Sequence, residues 1–250
     1  MHISTVNYQR VIYAIIVAFV VGLLINDTYE IHNLKYRVYQ LEEMQNKRNE
    51  IDKNIVDVLK DISDNQKEQN EKLEDTKKML EQERDHQYAL NDARNFTLDS
   101  STDLCTKLDL TATDMEKIIA YWNANSKNGT NFVGHGEAFI EAAHETGLNP
   151  IYIFAHAAWE SSWGNSYIAR TKQNYYGINA TDTEPVVNAY AMGDSMDRGI
   201  INGAEWIKEN FYDNGCTDLN SMIYKGNYAS AKGAWIDGIT SIANSSIKVL

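Results

Sequence analysis

Between residues 28 and 94 the chain has neither proline nor glycine, and Glu, Lys, Gln and Asp dominate it. A run of 67 residues without a helix breaker, and with too few apolar side chains to build a core, is a long helix or a partly disordered stalk. With Ile31 as heptad position a and Leu34 as d, ten of the eighteen a and d positions through Leu90 are apolar. That density suits an imperfect coiled coil, which would join copies of the chain into a homo-oligomer; a solvated single helix is the alternative. Fully helical, the segment would reach ~100 Å at ~1.5 Å per residue.

Ahead of the stalk, residues 11–25 (VIYAIIVAFVVGLLI) form an uncharged apolar run, a little short for the ~30 Å hydrocarbon core of a bilayer. Tyr8 and Tyr29 at the two interfaces and a snorkelling Arg10 extend its effective span. Arg10 precedes the run while Asp27 and Glu30 come after it, which sets the N-terminus inside a membrane and the remainder outside. A cleaved signal peptide has an apolar region of this length too, so secretion after cleavage is the competing reading. The expected organisation is a membrane anchor over 1–27, a stalk over 28–94, a linker over 95–105 and a globular domain over 106–250.

All five tryptophans lie between Trp122 and Trp235, and both prolines, Pro150 and Pro185, fall in the same part of the chain. A net charge of −12 without any basic stripe excludes nucleic acid as an expected partner. Cys105 and Cys216 lack metal-ligand spacing; they either pair outside the cytosol or serve as small buried hydrophobes. His135, His144 and His156 do not form HExxH, and no carboxylate pattern completes a zinc site, so neither a metal nor another cofactor is expected.

Within the globular domain, Thr113-Asp114-Met115-Glu116 has capping-box form and opens a helix, and a second helix over about 136–146 is stopped by Gly147. Residues 149–166, NPIYIFAHAAWESSWGNS, carry the candidate chemistry. Asn149 is a good N-cap and Pro150 suits the first helical position. An apolar segment then delivers Glu160 where Ser161, Ser162 and Gly164 break the helix. The helix macrodipole disfavours an anion there, and Trp159 and Trp163 can desolvate it; both effects raise a carboxyl pKa. An acid held protonated near neutral pH suits a leaving glycosidic oxygen, whereas a solvated Glu at a frayed helix end does nothing. Residues 174–194, NYYGINATDTEPVVNAYAMGD, are β-prone around a turn at 182–185, so a short hairpin lobe is expected. Ser195 caps a further helix, making the domain mostly α with a small β excursion.

The text AHAAWESSWGNSYIA, followed by NYYGINA, resembles the bacterial endo-β-N-acetylglucosaminidase family, glycoside hydrolase family 73. Its members carry E-[ST]-x-x-G-x-S after an apolar helix and then N-[LMY]-[FY]-G-I. The matching positions are Glu160, Ser161, Gly164 and Ser166, then Asn174, Tyr176, Gly177 and Ile178, and segments around Trp206 and Trp235 come next in family order. The likeness covers about 106–250 and nothing in 1–100.

The resemblance implies a lysozyme-like α+β fold and hydrolysis of the β-1,4 bond after N-acetylglucosamine in peptidoglycan, with Glu160 as general acid. Asp182 and Glu184 fall where the family often places its second acid. If one activates water, the reaction inverts and the carboxyls stand ~6.5–9.5 Å apart. Otherwise the substrate's own acetamido oxygen attacks the anomeric carbon. Asn174, Tyr176 and Tyr190 are expected to line the cleft and Trp163 to stack a sugar, although the Tyr190–Ser195–Gly199 spacing is stretched relative to the family. The implied partners are peptidoglycan strands and, through residues 11–25, membrane lipid. Two other settings fit the same chain: a non-catalytic glycan-binding scaffold of the cell envelope, and a wall-degrading enzyme of a phage virion.

Overall fold

The structure, a computed structural model, describes residues 5–181 and 183–250. Helix α1 runs Thr5–Asn95, and the chain divides into two compact units after Lys78. In the first unit the helix is sustained by the absence of breakers and by pairs such as Glu43–Lys47 at 2.8 Å and Glu74–Lys77 at 2.7 Å. The apolar side chains of residues 11–25 and the heptad residues Ile31, Leu34, Val38, Leu41, Ile55, Leu59 and Ile62 are all exposed. Near its start α1 is long and apolar enough to cross a membrane.

The second unit, Met79–Leu250, opens with the last turns of α1, where Leu90 and Ala93 are buried. The expected linker over 95–105 is packed rather than loose. Leu98 and Leu104 are buried, Asn244 exchanges two hydrogen bonds of 2.9 Å with the Leu98 backbone, and the Leu104 N–H donates to the Thr217 carbonyl at 2.9 Å. Cys105 and Cys216 are free thiols, the first half-buried and the second buried.

Helix α2, Ala112–Asn125, is capped two residues earlier than expected: Thr111 is the N-cap and Asp114 its reciprocal partner. Glu116 is not available for that role. Its carboxylate accepts from the Gly134 N–H at 3.1 Å and the Gly136 N–H at 2.5 Å, and so caps α3, Gly136–Thr146, whose own N-cap His135 makes no side-chain capping bond. Gly147 ends α3 in the left-handed conformation at φ 72°. Asn149 then caps α4, Pro150–Glu160, accepting from Ile151 N at 2.9 Å and Tyr152 N at 3.1 Å. Everything on α4 from Pro150 to Ala158 is buried, because α3 packs on one side of it and α9, Lys232–Ile247, on the other. Short α5, Tyr167–Lys172, and α6, Pro185–Asn188, precede α7, Met196–Asn210, which packs on α3; α8, Leu219–Tyr224, joins it to α9.

The expected hairpin is absent: no strand occurs among the described residues, and the fold is mostly α rather than α+β. Its two arms do meet, through the Tyr190 N–H and the Ile178 carbonyl at 3.1 Å. A ladder does not propagate because Asn174 stands in for it. The Asn174 Nδ2 donates to the Ile178 and Tyr190 carbonyls at 2.8 and 3.0 Å, and its Oδ1 accepts from Ile178 N at 3.0 Å. Asn174 is 1% exposed, so Asn174→Ala strands these backbone groups away from water. At ~1–3 kcal/mol for each unmet buried group, the domain should lose about 3–5 kcal/mol, seen as a thermal midpoint roughly 10 °C lower.

Candidate active site

Glu160 is the last residue of α4, and the chain leaves it through an unusual turn. Ser162, Trp163 and Gly164 are successively left-handed, at φ 51°, 64° and 78°. Two non-glycine residues in that region are strained, and their surroundings hold them there. Trp163 N donates to Ala158 O at 2.8 Å, Gly164 N donates to Ser161 Oγ at 2.7 Å, and the Trp163 carbonyl accepts from Asn131 N and Thr130 Oγ1, both at 3.0 Å. Gly164 is required on two counts, its positive φ and Phe132, whose ring atoms would lie 3.2 Å from an added Cβ. Ser166 closes the turn by capping α5. Each residue of the E-S-x-x-G-x-S text thus has a place in fixing the end of α4.

The Glu160 side chain enters a cleft of about 620 Å³ whose walls include Tyr176, Gly177, Trp206, Phe211 and Tyr228. Its Oε1 accepts from the indole Nε1 of Trp235, on α9, at 2.5 Å. Its Oε2 lies against the Gly177 backbone, where an added Cβ would sit 3.1 Å away at a φ of 67°. Burial raises the carboxyl pKa to about 7, and the Trp235 hydrogen bond offsets part of that rise.

Behind Glu160 the wall is neutral. His156, one turn earlier on α4, is fully buried, bonded through Nδ1 to Tyr152 Oη at 3.0 Å, and burial lowers its pKa to about 3. Its ring meets Trp235 edge-on, with centroids 5.2 Å apart, and Tyr228 at 4.9 Å. Tyr228 in turn donates to the Tyr176 carbonyl at 2.7 Å, and burial pushes both phenols well above their ordinary pKa.

The other expected site residues are distributed unevenly. Asn174 and Tyr176 line the cleft, but as buried supports: Tyr176 donates its hydroxyl to the Ile200 carbonyl at 3.0 Å. Tyr190 is 49% exposed and does not line the cleft, and neither does Glu184, which is exposed at the start of α6. Asp182 lies outside the described residues, next to Thr181, which lines the cleft. Among the described lining residues Glu160 is the one carboxylate. Trp163 does not face Glu160; it stacks on Trp122 at 4.5 Å and, with Trp159, lines a different hollow. The tryptophan that touches the acid is Trp235, 75 residues away in sequence, and sequence reasoning gave it no role at the acid.

A buried carboxyl held near neutral pKa among aromatic rings, at the end of a helix in a mostly helical domain, is the class of site glycan-cleaving enzymes use. Residues 136–247 match the family model Glucosaminidase, described as mannosyl-glycoprotein endo-beta-N-acetylglucosaminidase, and this stretch is a domain of that family. A Streptococcus pneumoniae protein named "Putative endo-beta-N-acetylglucosaminidase" is 36% identical over 141 residues, covering 56% of this chain and 21% of that protein. The "Beta-N-acetylglucosaminidase" of Bacillus subtilis is 33% identical over 95 residues, 32% of this chain and 11% of its own length. The chain therefore spans about a fifth or less of these relatives. The fold is shared with a crystal structure of a catalytic mutant of S. aureus Autolysin E in complex with disaccharide NAG-NAM, at a TM-score of 0.51 and 24% identity, over 64% of this chain and 77% of that one.

Proposed function

We propose that the chain is a peptidoglycan hydrolase that cleaves the β-1,4 bond after N-acetylglucosamine, with Glu160 as general acid. The observation that carries this reading is the Glu160 carboxyl in its aromatic cleft, at a pKa of about 7, on the motif position that the family resemblance assigns to the acid. Protonated Glu160 donates to the leaving oxygen, and the resulting carboxylate is met by the Trp235 indole N–H already 2.5 Å away. For the second participant, the described cleft wall favours the substrate's acetamido oxygen: besides Glu160 its polar lining is neutral, with Asn179, Thr181 and Ser230 along it. The competing reading is a water activated by Asp182. Retention of anomeric configuration supports the first, and inversion, abolished by Asp182→Asn, supports the second.

The exposed apolar run at 11–25 and the exposed heptad stripe lead to the setting of the reaction. We read them as a membrane anchor and an oligomerising stalk that hold the domain outside the membrane and raise its local concentration at the wall. Digestion of purified peptidoglycan by the full chain, followed by mass spectrometry of the soluble products, tests the activity. Fragments with reducing N-acetylglucosamine ends are expected. Products ending in reducing N-acetylmuramic acid would place the cut at the other bond, and no release at all would favour a binding protein.

A further inference from the structure

We propose that the hollow between α2, α4 and α9 is a second glycan-binding site, distinct from the Glu160 cleft, which receives the apolar face of a neutral amino-sugar ring. The proposal rests on the reading of the chain as one that acts on glycan strands, and it goes beyond that reading by giving the domain a second hold on the polymer.

The hollow has about 400 Å³ and takes three of the five tryptophans, Trp122, Trp159 and Trp163, with Ser162 and Ser241 at its edge. No lining residue carries a charge, so the chemistry it can recognise is neutral. The rings are held in advance of any ligand. A Cβ on Gly238 would collide with Cδ2, Cε3 and Cζ3 of Trp159, so the six-membered ring lies flat on the α9 backbone and offers its other side outward; the residue is 42% exposed. Trp163 is fixed by the strained turn and by Trp122, and Trp122 is pinned through its Nε1 to Ser246 Oγ at 2.8 Å. A rigid aromatic floor with hydroxyls at its rim matches a pyranose, which has an apolar C–H face and a polar perimeter, and its immobility lowers the entropic cost of binding.

Position ties the hollow to the cleft. Trp159 and Glu160 are successive residues, and on α9 Trp235 meets Glu160 while Gly238, ~4.5 Å further along the axis, meets Trp159. A single long strand held in the hollow would therefore keep its neighbouring residues near the acid, which adds avidity on polymer and nothing on a short fragment.

The test uses the full chain carrying Glu160→Gln, so that ligand is not consumed, with the N-acetylglucosamine tetramer and purified insoluble peptidoglycan as probes. Calorimetric titration of the tetramer should find two sites per chain, and one after adding Trp159→Ala. Affinity for the insoluble wall should fall about tenfold, and Trp159→Phe should restore most of it. Ser241→Trp fills the hollow from an exposed position on α9 and should remove the same site if Trp159→Ala proves unstable in a melting scan. One site in every variant, unchanged wall affinity, or a loss of self-association in place of sugar binding would overturn the proposal. A wild-type chain that releases no fragments while the hollow still binds sinks the hydrolase reading alone. A wild-type chain that cuts while Trp159→Ala and Ser241→Trp keep both sites sinks this proposal alone.

Discussion

Glu160→Gln is expected to lower peptidoglycan cleavage by about 10³-fold and, above neutral pH, to make the folded chain more stable. The activity loss is the size usual for removing a positioned general acid. The stability gain comes from the raised pKa. Burial moves the group from 4.5 to about 7, so between those values the folded state keeps a proton that the unfolded chain has released. Folding is therefore undisturbed by this group below about pH 4.5, loses stability as pH rises through the window, and above pH 7 carries the whole penalty, on the order of 3 kcal/mol. Glutamine does not ionise and can still accept from the Trp235 indole, so it escapes that penalty. At pH 8 the variant's thermal midpoint should lie several degrees above wild type, and at pH 4 the two should coincide. Retained activity would sink the assignment of the acid. A midpoint difference equal at both pH values would instead sink the account of a desolvated carboxyl.

What the sequence exposed was whatever a few neighbouring residues decide. Asn149 and Pro150 start α4, Gly147 stops α3 and Ser195 caps α7, because caps and stops are local transactions between a side chain and the nearest free backbone groups. Where a side chain has a distant partner, local sequence misleads. Glu116 has the spacing of a capping-box acid for its own helix, yet Gly134 and Gly136 take it for the next one. The 95–105 segment lacks heptads and resembles a linker until Asn244, Thr217 and Asn149 are seen bonded to it. The β-prone text of 174–194 suggests a hairpin, but propensity does not reveal that a buried Asn174 consumes the groups a ladder would use.

The same limit divides the site. The desolvated setting of Glu160 was legible from an acid at the end of an apolar helix, and its proposed role from two ordered motifs. Its aromatic partner was not. Trp159 and Trp163 flank it in sequence, but the left-handed turn at 162–164 carries Trp163 onto Trp122, and Trp159 lies on Gly238. Trp235 reaches the acid only through the packing of α9 on α4. A tryptophan on an otherwise apolar helix face is usually core, and nothing local to Trp235 marks its N–H as aimed at a carboxylate.

Trp235→Phe should therefore move the alkaline limb of the pH–rate profile upward and lower kcat at its optimum by tenfold or more. The indole N–H stabilises the ionised carboxylate and holds Glu160 below the pKa that burial alone would impose. Phenylalanine keeps most of the ring contact with His156 and Tyr228 but donates nothing, so the carboxyl pKa rises further above 7. Because the proposed role requires the protonated acid, activity falls as pH rises through that pKa, and a higher pKa extends it to higher pH. The optimum rate drops all the same: the carboxyl loses the bond that orients it, and misplacement by ~1 Å can cost ~10²-fold. The shift can be assigned to Glu160 because its described neighbours stay silent over the relevant range. His156 titrates near 3, and the Tyr176 and Tyr228 phenols are pushed well above their ordinary value. A variant with reduced kcat but an unmoved alkaline limb would show that Trp235 only supports the cleft wall. A limb that moves upward with the rate loss identifies it as the residue that positions and tunes the acid.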